Sequence, residues 1–318
     1  LFSNAILSNI NGLDNLLSVG NVTIYYNGAL CQSLVDEFRA NLVALGWSGT
    51  PTTWANAECW EPTPESCAEL VFSADTGSGA TTDEPMTCTG DFTLLHEDDL
   101  AEVEGCTFID GSLKVGTYPG ASDLTNLDGL ESLVCVSGDL DMRSNYDLTN
   151  IDGLANLTVV GGLVVYDNSA LTNLDGLEGL TTVNGKLSIS NNAVLTAVTG
   201  LESLTSVHQS LLFSNNNVLT NIDGLESLTT VGGRLGVFHN DQLTNIDGLE
   251  SLRTVGHELE ILESDSLTNI DGLANLTTVG RDVEISNNLA LTNIDGLESL
   301  TSIGDDLNII ANNALTNI

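Results

Sequence analysis

The stretch "LTNIDGLESLTTVGG", Leu219–Gly233, decides the fold, because it returns almost unchanged along most of the chain. The glycine of its Asp-Gly pair recurs at a constant spacing that is shorter by one position only before Gly176. A period this regular, about 24 residues, is typical of a solenoid, in which each unit buries its apolar face against neighbouring copies. The recurring glycines are Gly129, Gly153, Gly176, Gly200, Gly224, Gly248, Gly272 and Gly296.

The repeated unit has the pattern of strands rather than of a helix. No unit contains ten glycine-free residues with the apolar spacing of an amphipathic helix. Segments such as "RLGVFHN", residues 234–240, alternate apolar and polar side chains, which is the period of a strand with one buried face. Because Asp-Gly and Gly-Gly pairs favour turns, we predict an all-β parallel β-helix in which each coil of about 24 residues has three short strands and three bends.

Two columns of asparagine recur at fixed places in the unit. One lies three residues before each "LTN", where stacked side chains can hydrogen-bond one another and the turn backbone. The other lies within "LTN" itself and is interpreted as turn chemistry. The predicted structural ladder consists of Asn145, Asn168, Asn192, Asn216, Asn240, Asn288 and Asn312, with Ser264 as its exception.

An aspartate precedes most of the recurring glycines, and a glutamate usually follows three residues after it. Carboxylates stacked about 4.8 Å apart repel one another, so the column should face solvent or be bridged by cations. The first interpretation treats each aspartate as a turn residue. The alternative is calcium binding along Asp223, Asp247, Asp271 and Asp295, although the glycine-rich calcium repeat is absent.

The charge balance excludes several classes of partner. Seven Lys and Arg stand against 44 Asp and Glu, a formal net charge of −37, which argues against nucleic acid and against anionic membrane surfaces. No apolar run is long enough to insert into a membrane. Three of the basic groups have carboxylates one coil away, which predicts the cross-coil pairs Arg234–Glu258, His239–Glu263 and Arg281–Asp305.

We find neither a catalytic Ser/His/Asp or Cys/His arrangement nor a phosphate-binding loop, and we predict that the protein is not an enzyme. All six cysteines lie at or before Cys135. An even set in the non-repetitive region favours disulfides over zinc and so an extracellular or cell-surface location. Asn21, Asn156 and Asn275 are glycosylation sequons.

The N-terminal part of the chain is organised differently from the repeats. Residues 1–59 predict one coil followed by an amphipathic helix, "CQSLVDEFRANLVALG", that caps it. Residues 60–87 are rich in Pro, Gly, Ser and Thr and predict a linker. Residues 88–318 predict a second solenoid, with an N-terminal cap at 88–115 and about eight coils at 116–318 but no C-terminal cap.

The opening "CTGDFTLLHEDDLAEVEGCTFIDGSLKV", the coils and the closing "LCQSLVDEFRANL…C" together resemble the receptor L domain, which is related to leucine-rich repeats. The resemblance implies a right-handed β-helix with short capping helices, in a secreted or surface binding or structural module. It also implies disulfides Cys88–Cys106 and Cys31–Cys59, which leaves Cys67 with Cys135.

The closing cap precedes the opening cap, so the chain begins inside one L domain and stops inside the next. Its last residues, "IIANNALTNI", align with its first, "LFSNAILSNI". Because open solenoid ends associate, we expect a structural or adhesive protein that assembles head-to-tail into a fibre through residues 1–30 and 297–318. The alternative is a protein- or glycan-binding ectodomain excerpted from a longer surface protein.

Overall fold

The computed structural model describes two N-terminal strands, Thr23–Tyr25 and Thr52–Trp54, and residues 85–316 apart from 119 and 121. The two strands, named β1 and β2 in that order, pair in parallel. The helix predicted after Cys31 lies outside the described residues.

The chain divides into two compact units, Leu1–Pro64 and Glu65–Ile318. The division falls within the stretch 60–87 that the sequence predicts as a linker, most of which lies outside the described residues. The repeats belong to the second unit.

The second unit is a parallel β-solenoid of about nine turns of roughly 24 residues, which confirms the predicted fold class. Most coils contribute a two-residue strand, a bend and a four-residue strand; in two coils these merge into one long strand, β7 or β8. The strands are β3 (Thr87–Thr89), β4 (Phe92–Leu94), β5 (Phe108–Asp110), β6 (Leu113–Val115), β7 (Cys135–Arg143), β8 (Val159–Tyr166), β9 (Thr182–Val183), β10 (Leu187–Ser190), β11 (Ser206–Val207), β12 (Leu211–Ser214), β13 (Thr230–Val231), β14 (Leu235–Phe238), β15 (Thr254–Val255), β16 (Leu259–Leu262), β17 (Thr278–Val279), β18 (Val283–Ser286), β19 (Ser302–Ile303) and β20 (Leu307–Ile310).

The prediction of three strands per coil is wrong for the described coils. The third side is made of turns or of 3₁₀ segments, and its threonines supply isolated hydrogen bonds between coils, such as Thr244 N–H to Thr220 O at 2.9 Å. Side chains satisfy part of the bend backbone, so a continuous ladder is not needed there. The 3₁₀ segments in the described residues are Glu97–Glu102 in the N-terminal cap and Asp152–Leu154, Asp247–Leu249, Asp271–Leu273 and Asp295–Leu297 in the coils.

From β8 onward the strands pair in repeat register, so each residue faces its counterpart one coil away, whereas the pairing of β7 with β8 shifts by one residue between Val136 and Asp139. Leu235 is opposite Leu259, and Val237 is opposite Ile261. Inward-pointing Leu, Ile and Val therefore form continuous columns that are fully buried through the inner coils. Each buried side chain of this size stabilises the fold by about 1.5–3 kcal/mol, and the stack supplies the core that one coil lacks.

The N-terminal cap closes one end of this core. The 3₁₀ helix Glu97–Glu102 lies within the N-terminal cap that the sequence predicts at 88–115. The Asp99 carboxylate accepts hydrogen bonds from the backbone N–H groups of Leu95 and His96 at 2.7 and 2.9 Å. A disulfide joins Cys88 to Cys106, with the two Cα atoms 5.8 Å apart.

Candidate functional site

The asparagine ladder lies inside the coil. Asn216 shows the repeating pattern: its side-chain amide donates to Ile189 O at 2.9 Å, and its Oδ1 accepts from the Asn192 backbone N–H at 3.1 Å. Asn145, Asn168, Asn192, Asn216, Asn240 and Asn288 are fully buried, and Asn312 is 9% exposed. These side chains thus pair backbone groups at a buried bend, which is a structural role.

A residue with left-handed backbone precedes each ladder position. Left-handed conformations are costly for side chains other than Gly and Asn. Three members of the column are asparagine, and asparagine, aspartate and histidine adopt positive φ more often than other residues with side chains, whereas glutamate, at Glu263, seldom does. The column, with φ between 51° and 58°, contains Ser144, Asp167, Asn191, Asn215, His239, Glu263, Asn287 and Ala311.

The second asparagine column makes turns, as its position in "LTN" predicts. Asn221 Oδ1 accepts the backbone N–H of Asp223 at 3.1 Å, and Asn245 binds Asp247 in the same way. The acidic column therefore begins where an asparagine has fixed the backbone. Its seven aspartates, which run from Asp128 to Asp295, are exposed.

Neighbouring carboxylates of the column affect one another. Although Asp223 is exposed, its partial burial raises the pKa of its carboxyl group, and the negative charges of Glu226 and Asp247 raise this pKa further. Burial likewise raises the pKa of Asp247, with Asp271 and Glu250 adding to the effect. Within the described residues there is no group of three or more His, Cys, Asp or Glu side chains that could hold a metal ion. The calcium hypothesis therefore has a line of repelling carboxylates but no multidentate site.

The glutamates have a role that the sequence did not reveal. In four coils the glutamate binds the backbone N–H of the glycine two residues earlier, as in Gly224–Glu226 at 2.9 Å. The hydrogen bond from Gly129 is the main cause that lowers the pKa of Glu131. In these four coils the glycine has φ between 100° and 110°, at Gly129, Gly176, Gly200 and Gly224.

The other four bends are 3₁₀ segments, and two of them carry Ala155 or Ala274 in place of the glutamate. These two alanines also belong to the coils with sequons. Asn156 and Asn275 are exposed, and their amides donate to the Glu131 and Glu250 carbonyls of the preceding coil at 2.7 and 2.8 Å. Asn21 lies outside the described residues.

Close packing between coils explains the recurring glycine. A Cβ added to Gly176, Gly200 or Gly248 would clash with a carbonyl oxygen of the preceding coil, far inside the ordinary van der Waals distance. Gly129, in the first coil of the array, has nothing within 4 Å of that position. Turn preference alone therefore does not account for the Asp-Gly signature.

The structure confirms one of the three predicted cross-coil ion pairs and corrects two. His239 Nδ1 lies 3.0 Å from Glu263 Oε2, as expected. Arg234 pairs through Nε with Glu260 rather than Glu258, because its side chain lies along the outer strand face. Arg281 pairs with Glu258 of the preceding coil at 3.3 Å rather than with Asp305. The His239–Glu263 pair lines an open depression of about 400 Å³.

The outer face of the sheet, on the coils from β7 to β14, carries cations that are far apart in sequence. Arg143 lies 5.9 Å from the centre of the Tyr166 ring, and Arg234 lies 4.6 Å from that of Phe238. Lys186 precedes β10 on a coil between them. The sequence gives no direct sign of this grouping, because strand period alone does not show which coils carry outward aromatics beside arginines.

The described cysteines are all in disulfides. Cys88 pairs with Cys106 as the resemblance implies, and Cys135 is disulfide-bonded as well. Cys67, expected as the partner of Cys135, lies outside the described residues, as does the whole Cys31–Cys59 pair.

The last described coil presents apolar side chains to solvent. Leu307 is 50% and Ile310 54% exposed, whereas Val283, the counterpart of Leu307 one coil earlier, is fully buried. In residues 85–316, β20 pairs in register with β18 and no other strand. The side chains of β20 continue the columns of the coils before it, with Leu307 in the column of Val283.

The helices described here include none that is long and apolar enough to cross a membrane. Comparison of the chain with protein-family models, curated proteins and solved structures finds no match in any of the three.

Proposed function

We propose that the protein is a non-enzymatic structural or adhesive element of the L-domain type, which assembles end to end outside the cell. The last described strand, β20, carries this proposal, because its side chains match those of a further coil of the same kind. Its half-exposed Leu307 and Ile310 occupy positions that are buried or partly buried in the preceding coils, so association with another coil would remove apolar surface from water at about 25 cal/mol per Å².

The proposed partner is residues 1–30 of a second copy. Their sequence aligns with the C-terminal coil. In this alignment Asn4 matches the ladder residue Asn312, and Leu7 matches Leu315. A coil of this type would extend the buried columns and give Asn312 a neighbour. Contacts between different ends of identical molecules propagate filaments when they do not close into rings.

The extracellular assignment is supported by the disulfides. The Cys88–Cys106 pair and the bonded Cys135 suit an oxidising compartment, where disulfides persist. The assignment to receptor L domains is part of the proposal and is supported by the solenoid fold and the disulfide-closed N-terminal cap.

Charged substitutions on β20 test the assembly. The double variant Leu307→Glu and Ile310→Glu should shift sedimentation and negative-stain images from filaments to monomers, because the carboxylate at position 307 would be buried in a core column and the one at position 310 would be partly buried on the outer face. Its fold should survive, since both side chains are already half exposed. The matched control is Leu289→Glu, an exposed leucine (49%) before the last coil. Wild-type protein that is monomeric at every concentration would refute end-to-end assembly.

A further inference from the structure

The outer strand face contains a recessed trough between two aromatic residues. Tyr166, Ser190, Ser214 and Phe238 stand in direct register on four successive coils, so two serines separate two aromatic side chains. At a strand spacing of about 4.8 Å, the two ends are about 14 Å apart. We call this column the strand-face trough.

The floor of the trough is a set of hydroxyl groups below the level of its ends. Ser190 Oγ lies 3.2 Å from Ser188 Oγ and 3.0 Å from Ser214 Oγ. Ser188 and Ser190 point outward yet are only 6% and 9% exposed, so larger neighbours rise around them. Each hydroxyl can donate one hydrogen bond and accept two, and so can bind another hydroxyl in either sense.

An arginine stands at each end of the trough in a similar arrangement. Arg143 pairs through Nε with Asp141 at 2.5 Å and lies near the Tyr166 ring. Arg234 pairs through Nε with Glu260 and lies over the Phe238 ring. Each guanidinium also carries two terminal amino groups besides the Nε that contacts the carboxylate. Those groups suit a carboxylate or sulfate, which guanidinium binds with two parallel hydrogen bonds.

A third cation lies between the two arginines. Lys186 forms no ion pair within the described residues. Burial lowers its pKa, and the positive charges of Arg143 and Arg234 lower it further. The chain has only seven Lys and Arg against 44 Asp and Glu, and three of the seven meet here. Arg143 and Arg234 each have a carboxylate partner, and Lys186 adds a positive charge that has none within the described residues.

We propose that the strand-face trough binds a linear anionic oligosaccharide, with its hydroxyls on the serine floor and its carboxylate or sulfate groups at Arg143, Lys186 and Arg234. A saccharide supplies hydroxyls and acid groups along one chain, which fits an open hydroxyl-lined trough with cations at both ends.

Calorimetric titration of the full-length chain in 0.15 M salt tests the proposal, at an ionic strength where screening acts over about 8 Å. The probes are oligosaccharides of equal length: polygalacturonate, a sulfated glucan and a neutral glucan. We expect the anionic probes to bind and the neutral one to fail. The first two arms distinguish a carboxylate ligand from a sulfate ligand.

Two variants locate the site. Lys186→Gln should weaken binding roughly fivefold to tenfold, as expected for loss of one charge-assisted contact. Ser214→Tyr should abolish binding by filling the floor without changing charge. Arg253→Gln is the matched control: it removes one exposed positive charge just before the short strand β15, on another side of the coil, and should bind as wild type does.

Three results would overturn the proposal. The first is no preference for anionic probes, and the second is equal weakening by Lys186→Gln and Arg253→Gln. The third is a change in self-association with Lys186→Gln and none in sugar affinity, which would make the face a contact between copies. The Leu307→Glu and Ile310→Glu variant should retain full sugar binding, so failure of end-to-end assembly leaves this test intact.

Discussion

A single asparagine of the ladder connects three coils. Asn216 binds Ile189 O of the preceding coil, accepts the Asn192 backbone N–H, and donates its own N–H to Asn240 Oδ1. Loss of the side chain leaves buried backbone groups without partners, and each such group costs about 1–3 kcal/mol.

We expect Asn216→Ala to lower the free energy of unfolding by about 2–5 kcal/mol, because it orphans two backbone groups and leaves a void. The reciprocal change is Ser264→Asn, which supplies the amide that one coil lacks and should stabilise by about 1 kcal/mol. Urea unfolding followed by circular dichroism gives both values. A ladder of no energetic importance would leave the two midpoints unchanged.

The left-handed column gives a second residue-scale prediction. Glu263 has φ 53°, a conformation that Asn adopts more readily than Glu. Glu263→Asn should therefore raise the melting temperature slightly, although it removes the exposed His239 pair, which contributes little. Asn191→Val, a β-branched residue at φ 58°, should lower it. Both melting temperatures are measured by differential scanning calorimetry. A fall for Glu263→Asn together with a rise for Asn191→Val would show that the column carries no strain.

The sequence predicted the ladder because each position satisfies the same need in every coil, and the spacing of Asn145 through Asn312 displays that need directly. It did not predict the partners of Arg234 and Arg281. A long side chain has several carboxylates within reach, and its choice depends on which way it lies across the strand face.

At the scale of the element, the acid-bearing bend takes two forms that the motif does not distinguish. Glutamate can bind the glycine N–H when that glycine has positive φ, as at Gly176. Ala155 and Ala274 lack this carboxylate, and their bends are 3₁₀. Glu250 and Glu298 are also found in 3₁₀ bends, so the residue type at this position does not fix the form by itself.

Two glycines with nearly the same φ separate conformational strain from packing. Gly129 has φ 104° and open space at its Cβ position, whereas Gly176 has φ 106° and meets Ile151 O. Gly129→Ala should cost about 1–2 kcal/mol from backbone strain alone. Gly176→Ala should cost at least about 1 kcal/mol more, because the coils must move apart. Equal losses in urea unfolding would mean that the carbonyl contact is unimportant.

The acidic column should make stability depend on pH. A carboxyl group whose pKa is raised on folding binds protons more tightly in the folded state, so stability falls as pH rises through that pKa and is regained on acidification. Asp223→Asn with Asp247→Asn should therefore raise the melting temperature at pH 7.

This gain should shrink as the pH falls toward the ordinary aspartate value of 3.8. Asp128→Asn, at the end of the column where only one side has a neighbouring coil of the array, is the control and should gain less. The melting temperatures are measured with chelator present and again with calcium. If calcium raises the melting temperature of the wild-type protein but not that of the double variant, the column binds cations.

At the scale of the whole molecule, the array should be least protected at its C-terminal edge. Terminal repeats lack one neighbour and open locally at lower free energy than inner repeats. Backbone amides of Leu307–Ile310 should exchange with deuterium faster than those of Leu211–Ser214 at low protein concentration. In the proposed assembly this difference should disappear, because the edge gains a neighbour. Uniform protection in a monomer would contradict the nearest-neighbour picture.

The solenoid was predictable because a strict repeat of this length, combined with strand alternation, has few stable solutions. The third strand predicted for each coil was wrong, because turns, 3₁₀ segments and side chains satisfy the backbone groups on that side of the coil. The strand-face trough was not predictable at all, because it requires the lateral alignment of Tyr166, Ser190, Ser214 and Phe238 across four coils.

Because the coils are nearly identical, the chain can pair its strands in the wrong register during folding. A chain segment displaced by one full repeat would still bury leucine on leucine and bind asparagine to asparagine, so such a slip costs little locally. The irregular places distinguish one register from another: Ser264 interrupts the ladder, and the shortened spacing before Gly176 coincides with the uninterrupted strand β8. These irregular positions therefore specify the register. A consensus variant in which every coil has the same sequence should refold into a mixture of solenoids with shifted register.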